Sequence, residues 1–395
     1  MHNEKRSYTI IVGGFLGLIH SGGSVWDYIQ YPLGLHLMGY NVYYIEDTEI
    51  YPIYGQDWKD ITPTIERLKK IMKYFNLDNR WIYRDIATNL FYGKSKKEYI
   101  EICNQADIFV NVSCANVIRD EYLKIPVRIL MDTDPMFTQI QIATGQSFTS
   151  SKSSLKKLAA LHTHHFSFGE NINSVDTLIP ETGHRWKETR QPVCIDYWER
   201  LRINNPDFPF TTLMNWKAGK SLIYGHQSWG QKDITFPTII GIPGKINNER
   251  FKIAGGQTGS EKDFEAFKQL KDSGWELVSS ETASGNHIQY QQFISNSKAE
   301  ISVAKETYVK AKTGWFSGRS ANYLATGKPV IAQDTGWSKY YPCGNGLYSF
   351  TNQMEAIDAV KEISFNWYLQ SKAASEIAHG YFDHNKVLKE MLGSV

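Results

Sequence analysis

The stretch Lys312-Thr-Gly-Trp-Phe-Ser-Gly-Arg-Ser-Ala-Asn-Tyr-Leu-Ala-Thr-Gly-Lys-Pro-Val-Ile-Ala-Gln333 decides the fold, because it combines a glycine-punctuated loop, a short helix, a Gly-Lys-Pro turn and an apolar strand. The helix is predicted to begin at the small and basic residues Ser317, Gly318, Arg319 and Ser320. Unpaired backbone N–H groups and the positive end of the helix dipole attract an anion at such a start, and an arginine adds donors. Gly327 fits the helix end, where a positive φ is favoured. The stretch therefore predicts a phosphate site at the edge of a sheet.

Strand and helix periodicities alternate in the first half of the chain. The predicted strands are Tyr8–Val12, Asn41–Ile45, Ile108–Val112 and Val127–Met131. A helix-like stretch, Val25–Met38, separates the first two strands. Strands separated by helices predict a parallel sheet with right-handed crossovers.

The alternation restarts after Asn204–Phe210, a segment with two prolines that is the best candidate for a linker. The second set of predicted strands is Ser221–Tyr224, Phe251–Ala254, Trp275–Val278, Ala299–Val303 and Val330–Ala332. The fold class is therefore α/β, with two doubly wound Rossmann-like domains that face a cleft. We expect a first domain over residues 1–205, a second over 206–370 and a helical tail over 371–395.

Length and composition agree with two domains, because 395 residues with 42% hydrophobic content can bury two ordinary cores. The formal charge of +2 predicts no global attraction to nucleic acid or anionic membranes. No apolar run has membrane-spanning length, so we expect a cytoplasmic protein without an integral membrane segment. The four cysteines form no C-x-x-C pair, which argues against a zinc knuckle or a disulfide framework.

The Lys312–Gln333 stretch resembles the second-domain signature of nucleotide-sugar glycosyltransferases of the GT-B fold. The similarity extends from Gly13-Gly14 to Gly344-Asn-Gly346, over which the chain resembles bacterial proteins described as glycosyltransferase-like. The resemblance implies a C-terminal helix that crosses back to the first domain. It also implies transfer of a sugar from a nucleoside-diphosphate sugar, with UDP favoured, to a hydroxyl acceptor, without a tightly bound cofactor or a metal.

The resemblance implies that the loop after the first strand faces the acceptor side of the cleft. Its glycines would permit close backbone approach to a ligand, and they are Gly13, Gly14, Gly22 and Gly23. The loop lacks the G-x-G-x-x-G pattern, which disfavours a nicotinamide site. His20 and Asp27 are the candidate bases, since either side chain can take a proton from an acceptor hydroxyl. The alternative is that His20 is only a polar loop residue and that Asp27 is only a first-turn charge favoured by the helix dipole.

An Asp-x-Asp pair, Asp132 and Asp134, ends the predicted strand Val127–Met131. Such pairs hold a divalent cation in glycosyltransferases of the other large fold, GT-A. Because the second half resembles a GT-B donor domain, we interpret both as cleft-lining groups, with Asp134 as a further catalytic candidate. The cluster His162-Thr-His-His165 has no standard metal-ligand spacing, so no metal site is predicted.

Two further loops carry candidate donor-binding residues. Lys232 matches the place where GT-B enzymes often present a basic residue to the donor phosphates, although a solvated surface lysine would look the same. Glu306 is a candidate ligand of the ribose hydroxyls, or else part of an exposed charged face with its neighbouring lysines.

The chain departs from the pattern of retaining enzymes of this fold at two glutamates that flank the phosphate loop. Gly314 and Asn322 stand at those places, so retention and inversion both stay open. The alternatives are a non-catalytic nucleotide- or glycan-binding protein of the same fold and a sugar-nucleotide epimerase. Polysaccharide, lipid, natural product and modified nucleic acid all stay open as acceptors, as does the oligomeric state. Closure of the cleft about a short hinge is expected to exclude water.

Overall fold

A computed structural model describes residues 8–48, 60–85, 87–145, 154–214, 221–255 and 261–395. The first half forms an eight-stranded sheet. Its strands are β1 (Thr9–Gly13), β2 (Asn41–Glu46), β3 (Trp81–Arg84), β4 (Phe91–Tyr92), β5 (Ile108–Val112), β6 (Val127–Asp132), β7 (His164–Ser167) and β8 (Trp186–Glu188). Their spatial order is β4-β3-β2-β1-β5-β6-β7-β8, and every pair is parallel except β3 with β4.

The second half contains a two-stranded hairpin and a six-stranded sheet. Its strands are β9 (Phe210–Met214), β10 (Leu222–Tyr224), β11 (Gln227–Trp229), β12 (Phe251–Gly255), β13 (Trp275–Ser279), β14 (Ala299–Ser302), β15 (Val330–Gln333) and β16 (Leu347–Phe350). The six-stranded sheet is wholly parallel, in the order β13-β12-β9-β14-β15-β16. The predicted α/β class with two doubly wound sheets is confirmed.

Helices lie between the strands along both sheets. Those of the first half are α1 (Gly22–Leu37), α2 (Thr62–Tyr74), α3 (Lys96–Gln105), α4 (Asp120–Leu123), α5 (Phe137–Thr144), α6 (Leu155–Ala160) and α7 (Asp196–Glu199). Those of the second half are α8 (Lys232–Thr235), α9 (Pro237–Ile240), α10 (Glu261–Asp272), α11 (Ser280–Ser284), α12 (His287–Ser295), α13 (Glu306–Lys310), α14 (Gly318–Ala325), α15 (Gln353–Phe365), α16 (Trp367–Tyr381) and α17 (His384–Leu392). Within the described ranges, none of these helices has the length and apolar character needed to cross a membrane.

The prediction for the start of the second sheet is wrong. Its first strand is β9, whereas Leu222–Tyr224 pairs with β11 in the separate hairpin. Threonines interrupt the apolar run of β9, so the sequence pattern there is weak. In the folded chain Thr211 is buried, and its Oγ1 lies 2.6 Å from Oγ of Ser297 and 2.7 Å from the hydroxyl of Tyr323. These tertiary hydrogen bonds allow a polar residue in a central strand.

The C-terminal tail returns to the first-sheet side of the molecule, as predicted. Helix α17 packs against α1, where Gly34 leaves the space that Leu388 and His384 fill. The backbone of Val193 exchanges hydrogen bonds with Phe382 and His384 at the entry to α17. A side chain at position 34 would meet Leu388 at 2.8 Å, so this contact depends on the glycine.

One hydrophobic core spans both sheets. The largest cluster of buried side chains includes Val12 and Val110 from the first sheet, together with Leu324 and Val330 from the second half. A smaller cluster, which includes Phe251 and Ile301, fills the outer side of the second sheet. The shared cluster places the carboxyl ends of the two sheets on opposite sides of one cleft.

Candidate active site

A cleft of about 740 Å³ lies between the carboxyl ends of the two sheets. Its first wall is formed by the segment after β1, the start of α1 and the ends of β5 and β6. Its second wall is formed by the ends of β9 and β12, by α11 and by the starts of α8, α13 and α14. Ligands of doubly wound sheets bind at this edge, so the cleft is the candidate active site.

The predicted acceptor loop reaches the cleft only with its second half. Gly13 and Gly14 lie in the core, where an added Cβ would meet Asn116 at 2.6 Å and Tyr28 at 2.9 Å. Gly22 faces the backbone of Asn286 in the second half of the chain, at 2.1 Å from an added Cβ. Of the four predicted glycines, Gly23 lines the cleft. The others serve close packing rather than ligand approach.

A buried carboxylate, that of Glu46, holds the loop in place. It accepts hydrogen bonds from the backbone N–H groups of Gly17 at 2.7 Å and Leu18 at 2.8 Å, and from the hydroxyl of Tyr44 at 2.8 Å. Burial raises the pKa of Glu46 to about 7, although these hydrogen bonds favour the ionised form. The sequence pattern around Glu46 supplies no sign of this role, because the contact depends on the folded loop.

His20 lies on the exposed rim of the first wall. Partial burial, and then the charge of Arg67, lowers the pKa of His20. Its imidazole is therefore neutral at pH 7 and able to accept a proton.

Asp27 lies deeper in the cleft, on the first turns of α1. Its carboxylate is open to the cleft, and the cleft is surrounded by protein. The resulting loss of hydration raises the pKa of Asp27 to about 7, although the positive charge of Arg319 lowers it. Within the described ranges the carboxylate has no hydrogen-bond or ion-pair partner. A Cβ built on Gly318 would lie 3.2 Å from Oδ1 of Asp27, so the carboxylate faces the start of α14. Asp27, a predicted base, therefore lies next to the segment that is predicted to bind phosphate.

Asp132 and Asp134 point in different directions. Asp132 is fully buried and accepts hydrogen bonds from Gln139 at 2.8 Å, Ser167 at 2.6 Å and the backbone of Asp134 at 2.9 Å. Its predicted place on the cleft wall is therefore wrong, because its carboxylate stabilises the turn after β6 from inside. In the described parts of the chain, no group of three His, Cys, Asp or Glu residues could hold a metal ion.

Asp134 reaches the cleft and is paired across it. Both carboxylate oxygens lie 2.9 Å from Nζ of Lys305, which follows β14 of the second sheet. The hydroxyl of Tyr308 also donates to Asp134. Lys305 lies over the rings of Phe137 and Tyr308, at 4.6 and 5.2 Å from their centroids. The charges of Asp134 and Lys305 therefore neutralise each other.

Helix α14 begins where it was predicted, with Ser317 as the N-cap residue and Gly318 as the first helical residue, and binding of phosphate there stays a prediction. Arg319 is held by the second sheet, since its Nε lies 2.5 Å from the fully buried Glu300 and its Nη1 donates to the carbonyl of Leu213. Two of its three nitrogens thus fix the helix to β9 and β14. Ser320 is fully buried behind the helix start and does not line the cleft, contrary to its predicted role.

Lys232 is a basic residue of the second wall that has no ion-pair partner among the described residues. It begins α8, is half-buried and lines the cleft, and no hydrogen bond or ion pair joins its ammonium to any described residue. Burial, and then the nearby cations Arg319 and Lys305, lowers the pKa of Lys232 well below its usual range. A bound anion would offset both effects and favour the charged lysine.

Glu306 supports Lys232 from outside the cleft. Its carboxylate accepts a hydrogen bond from the backbone N–H of Gly230 at 2.8 Å and lies 3.9 Å from Nζ of Lys310. Glu306 is not among the residues that line the cleft, and its contact with ribose stays a prediction. Its effect is to fix the loop that leads into α8.

First-half residues occupy the space at both positions where retaining enzymes carry glutamate. A Cβ on Gly314, whose φ is +73°, would lie 2.6 Å from the backbone nitrogen of Asn171. The side chain of Asn322 accepts a hydrogen bond from Gln30 at 3.2 Å. Both positions therefore join the two halves of the molecule instead of facing a ligand.

Comparison with known proteins finds structural similarity without a sequence match. No family model matches the sequence, and no curated protein matches it. A glycosyltransferase from Rickettsia africae superposes with a TM-score of 0.54 at 12% identity, over 98% of this chain and 97% of that one. Anabaena Alr3699/HepE, in complex with UDP and glucose, has a TM-score of 0.57 at 10% identity, over 99% and 100%. The pneumococcal O-GlcNAc transferase GtfA, in complex with UDP and GlcNAc, has a TM-score of 0.55 at 10% identity, over 98% of each chain. Over nearly its whole length the chain therefore has the GT-B fold of these glycosyltransferases.

Proposed function

We propose that the protein is a glycosyltransferase that moves a sugar from a nucleoside-diphosphate sugar, with UDP favoured, to a hydroxyl acceptor. The observation that carries this proposal is that a basic residue and an acidic residue, each able to meet a ligand, line facing walls of one cleft. Lys232 and Asp27, which have no hydrogen-bond or ion-pair partner among the described residues, line the same cleft as the start of α14, and the carboxylate of Asp27 faces Gly318 there. The UDP complexes of two solved structures with the same fold support the choice of donor.

The donor diphosphate would lie at the start of α14, where the first backbone N–H groups lack helical partners. Lys232 would offset the charge that develops on the leaving nucleoside diphosphate. Arg319 acts mainly as a positioning residue, because Glu300 and Leu213 hold two of its nitrogens. Its Nη2 has no partner in the described ranges and is the nitrogen that remains for an anion.

Asp27 is the proposed base. The acceptor oxygen attacks the anomeric carbon of the donor sugar while Asp27 takes the hydroxyl proton. The bond between the anomeric carbon and the diphosphate oxygen breaks, and the nucleoside diphosphate leaves with the electron pair. One such displacement inverts the anomeric configuration. The pKa of Asp27, about 7, suits this proton transfer near neutral pH.

Three finer assignments belong to the same proposal. Residues 1–205 form the acceptor-side domain, residues 206–370 the donor domain, and residues 371–395 the tail that packs on the first domain. The protein works in the cytoplasm, and it uses no tightly bound cofactor or metal.

A nucleotide panel tests the donor site by thermal shift, with UDP, GDP, ADP and the matching nucleotide sugars. Lys232→Ala should lose most of the stabilisation that one nucleotide family gives to the wild type, because the unpaired cation is removed while its neighbours keep their bonds. Lys372→Ala, an exposed lysine of α16, is the matched control and should keep the full shift. A folded wild type that no nucleotide stabilises would contradict the proposal.

A non-catalytic nucleotide-binding protein is the second candidate, and one observation favours it. The positions of both missing glutamates, Gly314 and Asn322, are used for contacts between the two halves. Such a protein would give the same thermal shift. Incubation with the stabilising nucleotide sugar separates the two, because only an enzyme releases free UDP, either by transfer or by slow hydrolysis.

A further inference from the structure

The geometry points to a neutral carbohydrate as the acceptor, with its terminal sugar seated on Trp315 beside Ser113, Thr133 and Asp134. This inference rests on the proposed function, since it names the substrate class of the same cleft. It concerns the part of the cleft beside the ends of β5 and β6, where Trp315 of the second half contacts Thr133 of the first wall.

Trp315 provides a fixed aromatic surface at the acceptor side. It lines the cleft and is partly exposed there. Its indole Nε1 donates to the carbonyl of Thr133 at 3.2 Å, and its ring packs on Tyr308 with centroids 4.6 Å apart. The backbone of Trp315 also pairs with Gly169 in an isolated bridge. The negative face of such a ring attracts the weakly positive C–H groups of a sugar ring.

Hydroxyl and carboxylate groups stand next to this ring. Ser113 and Thr133 line the cleft with their hydroxyl oxygens 2.6 Å apart. Ser113 has a φ of +56°, and Cys114 has the same value, so the end of β5 adopts a left-handed backbone that non-glycine residues rarely take. This turn aims Ser113 at the cleft. Side chains that both donate and accept hydrogen bonds suit sugar hydroxyls.

Asp134 adds a carboxylate to this hydroxyl group. Its side chain is 45% exposed although it is paired with Lys305, so part of it remains accessible from the cleft. A carboxylate can accept two sugar hydroxyls at once.

The charges of the first wall favour a neutral acceptor over an anionic one. Among the described residues of this wall, the charged groups that line the cleft are Asp27 and Asp134. Lys305 is neutralised by Asp134, and His20 has a lowered pKa. Arg67 lies behind His20 with its guanidinium nitrogens buried, so it does not meet the cleft. Among the described residues of this wall, a phosphorylated or carboxylated acceptor would therefore find no unpaired cation.

Matched sugar pairs test this inference by NMR titration of the full chain. The ligands are glucose, galactose, mannose and N-acetylglucosamine, each compared with its own 6-phosphate, with and without saturating UDP. We expect at least one neutral sugar to bind at least tenfold more tightly than its phosphate. Tighter binding of the phosphates, or no binding of any of the sugars, would overturn the inference.

Two variants assign the site. Trp315→Leu keeps an apolar side chain and should weaken neutral-sugar binding at least fivefold, whereas Tyr368→Ala, an exposed aromatic of α16, should not. Asp134→Asn leaves the charge of Lys305 uncompensated, so the preference for the neutral sugar should narrow or reverse. Unchanged binding and preference in both folded variants would place the sugar elsewhere and contradict the inference.

The UDP arm separates the two proposals. Neutral-sugar binding that depends on Trp315, without any effect of UDP or any other nucleotide, would leave the carbohydrate site standing and sink the transferase. Nucleotide binding together with a preference for sugar phosphates would support the transferase and contradict the neutral-carbohydrate site.

Discussion

At the scale of single residues, the cleft is organised by which charges are already paired. Arg319 is bound to Glu300, and Lys305 is bound to Asp134, whereas Lys232 and Asp27 have no partner in the described ranges. A paired charge fixes geometry, and an unpaired charge in a surrounded cleft raises the free energy of the empty protein. The unpaired residues are therefore the ones expected to meet ligands.

The Arg319–Glu300 pair should behave as a structural element. Arg319→Ala leaves the buried carboxylate of Glu300 without its partner, which should lower the free energy of unfolding by about 3–5 kcal/mol. The double variant Arg319→Met, Glu300→Gln should recover part of the loss, because no charge then stays buried alone. Urea denaturation measures both, and an Arg319→Ala variant as stable as wild type would refute this role.

Asp27→Asn should reduce kcat/KM for transfer by roughly 10²–10⁴-fold and leave nucleotide binding intact, since only the base is lost. Wild-type kcat/KM should rise with pH through about 7 as the carboxylate ionises. His20→Asn is the control, because it removes the other candidate base. A rise with pH that survives in Asp27→Asn and disappears in His20→Asn would assign the base to His20.

Stability gives a second readout of Asp27 that does not need a substrate. Between about pH 4 and pH 7 the unfolded chain has lost the proton that folded Asp27 still holds. The unfolded state then binds fewer protons, so this group makes stability fall as pH rises. Asp27→Asn should remove that slope, and urea denaturation at pH 5 and pH 8 compares the two proteins.

At the scale of elements, the N-terminal end of α1 docks directly on the second half of the chain. Ser284 lies 3.3 Å from the hydroxyl of Ser21 and accepts a hydrogen bond from the backbone of Gly23 at 3.2 Å. Trp26 donates its indole N–H to the carbonyl of His287 at 3.1 Å. The loop between α11 and α12 thus closes one end of the cleft against α1.

Gly22→Ala should loosen this contact. The added methyl would lie 2.1 Å from the carbonyl oxygen of Asn286, so one of the two backbones must shift, at a cost of about 1–3 kcal/mol in the free energy of unfolding. Gly380→Ala in α16 is the matched control, because nothing lies within 4 Å of its Cβ and alanine favours a helix. Equal stability of the two variants, measured by urea denaturation, would show that α1 does not dock there.

At the scale of the whole molecule, the two sheets share one core and several backbone contacts. Gly169 pairs with Trp315, and the backbone N–H of Asn171 donates to the carbonyl of Thr313 at 3.1 Å. The buried ion pair of Glu170 with Arg190 also meets Tyr341 of the second half. A wide rotation about the hinge predicted from the sequence would break these contacts together with the shared core.

The molecule should therefore unfold as one unit and keep its shape when nucleotide binds. Calorimetry should give a single transition whose calorimetric and van't Hoff enthalpies agree. Small-angle X-ray scattering should show the same radius of gyration with and without saturating UDP, since side chains rather than domains respond. Two separate transitions, or a clear contraction with UDP, would show that the halves move independently.

The sequence by itself determined the alternation of strands and helices, the two parallel sheets and the start of α14 at Gly318, because hydrophobic period and glycine placement are local signals. It did not reveal β9, where the buried Thr211 forms hydrogen bonds with Ser297 and Tyr323. The tertiary structure decided the site. Gln30 contacts Asn322, and Asp134 contacts Lys305, across long separations in the chain. Such contacts produce no periodic pattern in the sequence. Whether a charge is paired, and so whether it is available to a ligand, depends on those contacts and on burial.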